Sequence, residues 1–319
     1  MRISLPGVLM FAVMLGAPAC AATTFSVPDA VLPEPLVLVA YGDMRFTDAA
    51  ETSASSPRAR QALVARIAQE KPAALFISGD IPWHGVAADY KVYRSETKLW
   101  RKKHLRVFPA LGNHEFSMCE SASCLDLWWK AFPQLRGLRW YSVGIGSKVV
   151  AISLDSASAL DPQSEQGAWL EAQVGSLGAA VRVVLIVMHH PPVADVQTVK
   201  LVDHNPRTNE ETLVPLLKKA AANSAARFVV SAGHIHNYER NAQDGVMYLV
   251  SGGGGARPSE VDRDQHDLYQ GTDFPNFHYV RFELQAGSLK GEMIRLEDYD
   301  AAKPAQWRSR DRFEITLRP

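Results

Sequence analysis

The stretch LVLVAYGDMRF, residues 36–46, decides the fold. Leu36 to Tyr41 form an unbroken apolar run, which suits a strand covered on both faces. The run breaks at Gly42 and gives way to Asp43, so a buried strand delivers a carboxylate to the edge of a sheet. The same form recurs in ALFISGD (74–80), VFPALGN (107–113), VVAISLD (149–155), VVLIVMHH (183–190), RFVVSAGH (227–234) and VMYLVSGG (246–253). Helical patterns lie between several of these runs. SPRARQALVARIAQE (56–70) opens with a Ser cap and Pro at the first position, then spaces its apolar residues helically. DPQSEQGAWLEAQVGSL (161–177) and NEETLVPLLKKAAANS (209–224) read the same way. Alternating strands and helices predict layered α/β packing. Later, HYVRFELQAGSLKGEMIRLED (278–298) predicts a β-hairpin turning at AGS, and RFEITL (312–317) a further strand. SGGGGARP (251–258) reads as a flexible loop that follows a strand closely enough to line a site.

Composition sets the outer bounds. The 319 residues are 47% hydrophobic and 21% charged, a globular profile. Lys plus Arg and Asp plus Glu both number 34, so the formal charge of +0 gives no sign of a phosphate-tracking surface, and no nucleic-acid partner is called for. The N-terminus, MRISLPGVLMFAVMLGAPACAATTF, places one Arg before an apolar stretch and small residues after it. It reads as a secretory signal peptide over residues 1–21, followed by a single domain over 22–319, exported to a periplasm or outside the cell. Lipidation at Cys20 is the alternative, and no later segment is apolar enough to span a bilayer. Cys119 and Cys124, in FSMCESASCLD, are expected to pair in an oxidising compartment; two free thiols are the other reading.

Five strand ends finish in groups that ligate metals or move protons. They supply Asp43, Asp80 in GDIPWHG, Asn113-His114-Glu115 in GNHE, His189-His190 in MHHPP, and His234 and His236 in GHIHNYER. Open α/β sheets gather strand ends on one edge, where such folds place their sites. Carboxylate oxygen, amide oxygen and imidazole nitrogen together suit Zn, Mn or Fe better than Ca. A central carboxylate can bridge two such ions, which polarise a phosphoryl oxygen and activate a hydroxide for in-line attack. In GHIH, strand alternation would turn both imidazoles to one face. The glycines before Asp80, Asn113 and His234 are expected to let the backbone turn sharply.

From Asp43 to Arg240 these motifs resemble the calcineurin-like metallophosphoesterases, and GHIHNYER is similar to the form found in their purple acid phosphatase-like branch. The resemblance implies two packed mixed β-sheets flanked by helices, a four-layer α-β-β-α architecture. It implies two divalent or trivalent ions from among Zn, Mn and Fe. Asp43 and His236 would belong to the first, Asp80 would bridge, and Asn113, His189 and His234 would hold the second. His114 would contact the phosphoryl group or protonate the leaving oxygen, and Glu115 and His190 would orient ligand imidazoles. The expected activity is hydrolysis of small phosphomonoesters or phosphodiesters. The alternatives are a binding or scaffold protein on a decayed phosphoesterase fold, and a hydrolase of lipid or nucleotide pyrophosphate bonds.

Two positions depart from the family pattern. Arg45 stands where the general family has a histidine ligand, and Trp83 where purple acid phosphatases have a ligating tyrosine. Indole offers only an N–H donor. The first ion could bind through Asp43, Asp80 and His236 with water, or recruit His84. Alternatively the site holds one ion tightly while Arg45 contacts the phosphate. Arg45 could instead pair with Asp48 or another acid. In the segment 191–208, His204 and Arg207 are placed to meet substrate.

Overall fold

The computed structural model describes residues 23–197, 204–299 and 303–318; the expected signal segment and Cys20 lie outside them. In chain order the strands are β1 (Phe25–Val27), β2 (Leu36–Tyr41), β3 (Ala74–Ile77), β4 (Val107–Pro109), β5 (Tyr141–Ile145), β6 (Val149–Ser153), β7 (Val183–Val187), β8 (Arg227–Ala232), β9 (Tyr238–Gln243), β10 (Val246–Ser251), β11 (His278–Leu284), β12 (Ser288–Asp298) and β13 (Gln306–Thr316). The helices are α1 (Pro57–Glu70), α2 (Ala87–Glu96), α3 (Lys98–Lys102), α4 (Ser121–Ala131), α5 (Glu165–Gly175), α6 (Thr208–Glu211) and α7 (Leu213–Asn223). One sheet has the order β1-β5-β6-β7-β8-β10-β9 and the other β13-β12-β11-β2-β3-β4. Both are mixed. β2, β3 and β4 run parallel in one, and β6, β7, β8 and β10 run parallel in the other.

Period-two burial explains the layering. Val183, Leu185 and Val187 of β7 join the core between the sheets. Val184 and Ile186 of the same strand pack instead with Leu170 of α5 and Leu213 and Leu217 of α7. The other sheet is covered by α1, through Leu63, Val64 and Ile67, and by Trp100 of α3. This is the expected four-layer arrangement of two packed mixed sheets flanked by helices. Each apolar run of the sequence contains a strand. Ser56 caps α1 by accepting from the Ala59 amide at 3.3 Å, and Ser164 caps α5 through Gly167 at 3.0 Å. The segment 209–224 differs: it is split between α6 and α7, because Pro215 has no N–H to return to the Glu211 carbonyl.

The YER portion of GHIHNYER is a lock between the sheets. Tyr238 and Arg240 lie on edge strand β9, and Asp311 lies on edge strand β13 of the opposite sheet. The Tyr238 hydroxyl donates to Asp311 Oδ2 at 2.9 Å, and Arg240 donates to both Asp311 oxygens at 2.6 and 3.1 Å. Cys119 and Cys124 are joined by a disulfide at the start of α4. Asp311→Ala removes the acceptor of two largely buried donors and is expected to lower unfolding free energy by about 2 kcal/mol, read from urea denaturation.

Candidate metal centre

The parallel strands of both sheets deliver their C-terminal ends to one edge. β2, β3 and β4 bring Asp43, Asp80 and Asn113 from one sheet; β7 and β8 bring His189 and His234 from the other. Asp43, Asp80 and His189 are completely buried. His234 and His236 follow β8 on a bend and are not themselves in a strand, so alternation along a strand does not explain their common direction. His234 instead turns through a left-handed backbone, φ 72°, and its amide donates to both Asp43 oxygens at 3.0 and 3.1 Å.

Backbone acceptors fix the imidazoles. A carbonyl only accepts, so His189 Nδ1–H donates to Ser78 O at 2.9 Å and His236 Nδ1–H to Arg257 O at 2.7 Å. Each ring then presents an unprotonated Nε2. Burial, opposed by Asp80, holds His189 below the usual imidazole range, and burial reinforced by Arg45 does the same more strongly for His236. Neutral imidazole is the ligating form. His189 Nε2 lies 2.9 Å from Asn113 Oδ1, 3.2 Å from His234 Nδ1 and 3.2 Å from Asp80 Oδ1. Ligands about 2.0–2.2 Å from one shared ion sit roughly 3 Å from one another. Asp43, Asp80 and His236 form a second group, with ligand atoms within 4.8 Å. There His236 Nε2 lies 3.6 Å from Asp43 Oδ1, buried and without a hydrogen-bond partner. The residues present therefore fit two cations.

The flanking groups differ in part from expectation. Glu115 does not orient an imidazole. Its carboxylate accepts from the amides of Asp80 at 3.1 Å, Gly112 at 2.8 Å and Ile81 at 2.9 Å, tying the ends of β3 and β4 together. His190 packs its ring 4.8 Å from His189 and 4.3 Å from His234, and its Nδ1 meets Ser156 Oγ at 2.8 Å. It belongs to a group with His189 and His234 whose ligand atoms lie within 4.8 Å of one another.

Arg45 does not pair with Asp48, which caps the Ala50 amide. Its Nε and Nη2 donate to Asp80 Oδ2 at 3.4 and 3.3 Å, and its guanidinium lies 5.1 Å from the centre of the Trp83 ring. Trp83 also stacks on His114 at 4.8 Å and accepts His114 Nδ1–H on its carbonyl at 2.6 Å. His84 binds Ser117 Oγ at 2.9 Å and belongs to neither candidate ligand group. Arg207 binds Glu210 at 2.6 Å and the Ser156 carbonyl at 2.9 Å, which ties the start of α6 to the turn after β6. His204 packs 4.8 Å from His234 and 5.8 Å from His236, at the edge of the centre.

Burial raises the Asp80 carboxyl, and the permanent charge of Arg45 with the His114 amide at 3.0 Å lowers it. Asp43 moves the other way, raised by burial and then by the charge of Asp80. A cation held there would favour the ionised form of both carboxylates.

Sequence reasoning missed Arg60. It is fully buried, binds Glu96 at 2.7 and 2.9 Å, and donates to the Arg45 carbonyl at 3.2 Å, so it shapes the loop that carries Arg45. The available signal was a cation on the apolar face of α1, beside Leu63, Val64 and Ile67. The carbonyls of Ser78, Trp83 and Arg257 carried no such signal, since any residue type supplies one.

Residues 39–238 match the calcineurin-like phosphoesterase family, and the chain belongs to that family. Among solved structures it is similar to purple acid phosphatase PPD1 from seeds of yellow lupin (Lupinus luteus), 17% identical with a TM-score of 0.65, over 88% of this chain and 53% of that one. The chain thus spans about half the length of the lupin protein. It is similar to a dimetal phosphatase from Danio rerio, 14% identical with a TM-score of 0.58, over 89% of this chain and 99% of that one. It is also similar to GAP50, the anchor in the inner membrane complex of Plasmodium, at 13% identity and a TM-score of 0.61, over 89% of each chain. Identities this low speak to the fold alone. A search among curated proteins gave no match.

Glu115→Gln keeps the shape but turns one oxygen into an NH2 that faces amide donors. It is expected to cost about 1–3 kcal/mol of stability, by urea denaturation, and to lower bound metal measured by elemental analysis.

Proposed function

We propose that the protein is a metal-dependent phosphoesterase acting on phosphomonoesters or phosphodiesters, with one tightly held ion and a weaker second one. The observation that carries this reading is the convergence of Asp80, Asn113, His189 and His234 donor atoms on spacings of 2.9–3.2 Å around His189 Nε2. These four would hold one ion, and Asp43, His236 and the other side of Asp80 the second. Ions held there would polarise a phosphoryl oxygen and acidify a water. Metal identity is drawn from Zn, Mn and Fe by the mixed oxygen and nitrogen donors. The apolar leader over residues 1–21 and the Cys119–Cys124 disulfide support an exported protein.

The chain's own groups supply the remaining chemistry. His114 Nδ1–H is fixed on the Trp83 carbonyl, which leaves Nε2, 3.8 Å from Asp80 Oδ2, to carry and release a proton to the leaving oxygen. Burial, opposed by Asp80, lowers the His114 pKa, so a proton held there is given up readily. Arg45 Nη1 makes no hydrogen bond with a described residue and is available to a phosphoryl oxygen. The tightness of the two ions differs because Arg45 already occupies Asp80 Oδ2. A fixed cation there takes up charge that a bridging carboxylate would give to the weaker ion, the one assigned to Asp43 and His236. The same occupancy favours the second reading, a binding or scaffold protein.

Activity of the full chain on a generic phosphomonoester, a phosphodiester and a nucleotide, with added Zn, Mn or Fe from acid to alkaline pH, tests the proposal. Turnover on none of them with any metal selects the scaffold reading. His114→Ala is expected to cut kcat by about 10²–10⁴ while bound metal stays constant. Parallel loss of metal would make His114 structural. Elemental analysis after chelator dialysis should find one ion per wild-type chain, and a content approaching two in Arg45→Gln. Two ions retained by the wild type would contradict the unequal-affinity assignment.

A further inference from the structure

A cavity of about 780 Å³ opens beside the metal centre, between the start of α1 and the segments 257–258 and 274–277. Its walls include Arg58, Gln61, Arg257, Phe274, Phe277 and Tyr299, and no acidic residue. Neither Arg58 nor Arg257 forms an ion pair or a side-chain hydrogen bond with a described residue. The aromatic side is built: Phe277 and Tyr299 meet edge to face at 5.6 Å, while Phe274 stays 49% exposed.

Backbone pairing places this cavity next to the site. Residues 54–56 run against 255–257, with Ser56 N bonded to Gly255 O at 2.7 Å and Arg257 N to Ala54 O at 3.2 Å. Arg257 gives its carbonyl to His236, and Ser55 Oγ, also in the cavity wall, bonds the Arg45 carbonyl at 3.1 Å. A phosphoryl group at the metals therefore has the cavity on the His236 and Arg45 side. The volume lies within the range of small-molecule sites.

We propose that this cavity receives the leaving-group half of the substrate, a group that joins a flat ring to a second anionic group, which is the chemistry of a nucleotide. The inference rests on the phosphoesterase reading. Two uncompensated guanidiniums match phosphate oxygens, and the aromatic wall offers a face to a base. A small uncharged alcohol would use neither.

Hydrolysis of ADP, AMP and 4-nitrophenyl phosphate by the metal-supplemented full chain tests it. Water splits the terminal phosphoryl group from ADP and releases AMP, ring and anion together; AMP releases only adenosine. The expected kcat/KM is higher for ADP than for AMP. Arg58→Gln and Arg257→Gln should each lower the ratio of ADP to 4-nitrophenyl phosphate turnover about tenfold, and Phe274→Ala should lower it too. Equal changes on all three substrates would overturn the subsite. A second readout is calorimetric binding of AMP to the full chain without added metal, expected about tenfold weaker in Arg58→Gln. Wild type that binds no AMP, or variants that bind it equally, overturn the subsite. AMP binding that depends on the arginines, with no turnover of any substrate, keeps the subsite and overturns the phosphoesterase reading.

Discussion

The Glu115 carboxylate is the constraint on which the site depends. Its two oxygens collect the amides of Asp80, Ile81 and Gly112. Those N–H groups lie just beyond the ends of β3 and β4, where the sheet ladder no longer serves them, and buried amides left unpaired are costly. Burial and the nearby charge of Asp80 push the Glu115 carboxyl up to about 8, opposed by the three amide bonds. The group is tolerated inside the molecule because it is fully used. Its effect is to fix the backbone of Asp80, and through it the carboxylate that both candidate cation groups share.

A second constraint is crowding. Asp43, Asp80 and His234 all sit in left-handed backbone, with φ of 62°, 54° and 72°. Such conformations cost about 1–3 kcal/mol each for residues with a Cβ and persist only where the surroundings impose them. Here they turn the chain back under each of these side chains at the strand end. The neighbouring glycines serve mainly by staying small: a Cβ on Gly112 would stand 2.4 Å from Asp80 Oδ1, and one on Gly233 2.3 Å from Asp43 Oδ2. Among the three glycines that precede Asp80, Asn113 and His234, only Gly79 itself takes a left-handed φ, 87°. The sequence signal was sound, but its physical cause is mostly close approach rather than turning.

What could be read in advance follows from where each interaction is local. Strands buried on both faces announce themselves as apolar runs, so β2, β3, β7 and β8 and the candidate ligands at their ends were legible. Edge strand β9, with the sequence YERNAQ, was not, because its polar side chains satisfy partners that are distant in sequence, such as Asp311. Helices α2 and α4 were overlooked for a related reason: α2 buries only Asp89, Tyr90 and Tyr93, and α4 only Cys124 and Trp128, too few to set a clear period. The partners of Glu115 were misread because it binds backbone amides, and nothing in a motif distinguishes those partners from an imidazole.

Arg45 and Trp83 are best understood as one substitution. A guanidinium placed on Asp80 is 11% exposed, so it is largely dehydrated and must be held by more than one partner. Asp80 supplies the charge, and the Trp83 ring supplies a face worth about 0.5–1 kcal/mol at a partly exposed site. The same indole stacks on His114, and its carbonyl sets the tautomer of that ring. A smaller or purely aliphatic residue at position 83 would leave the guanidinium without its aromatic face and His114 without its stacking partner. The two positions that depart from the family pattern thus form a contact cluster with Asp80 and His114. A covalently fixed positive charge therefore stands against Asp80.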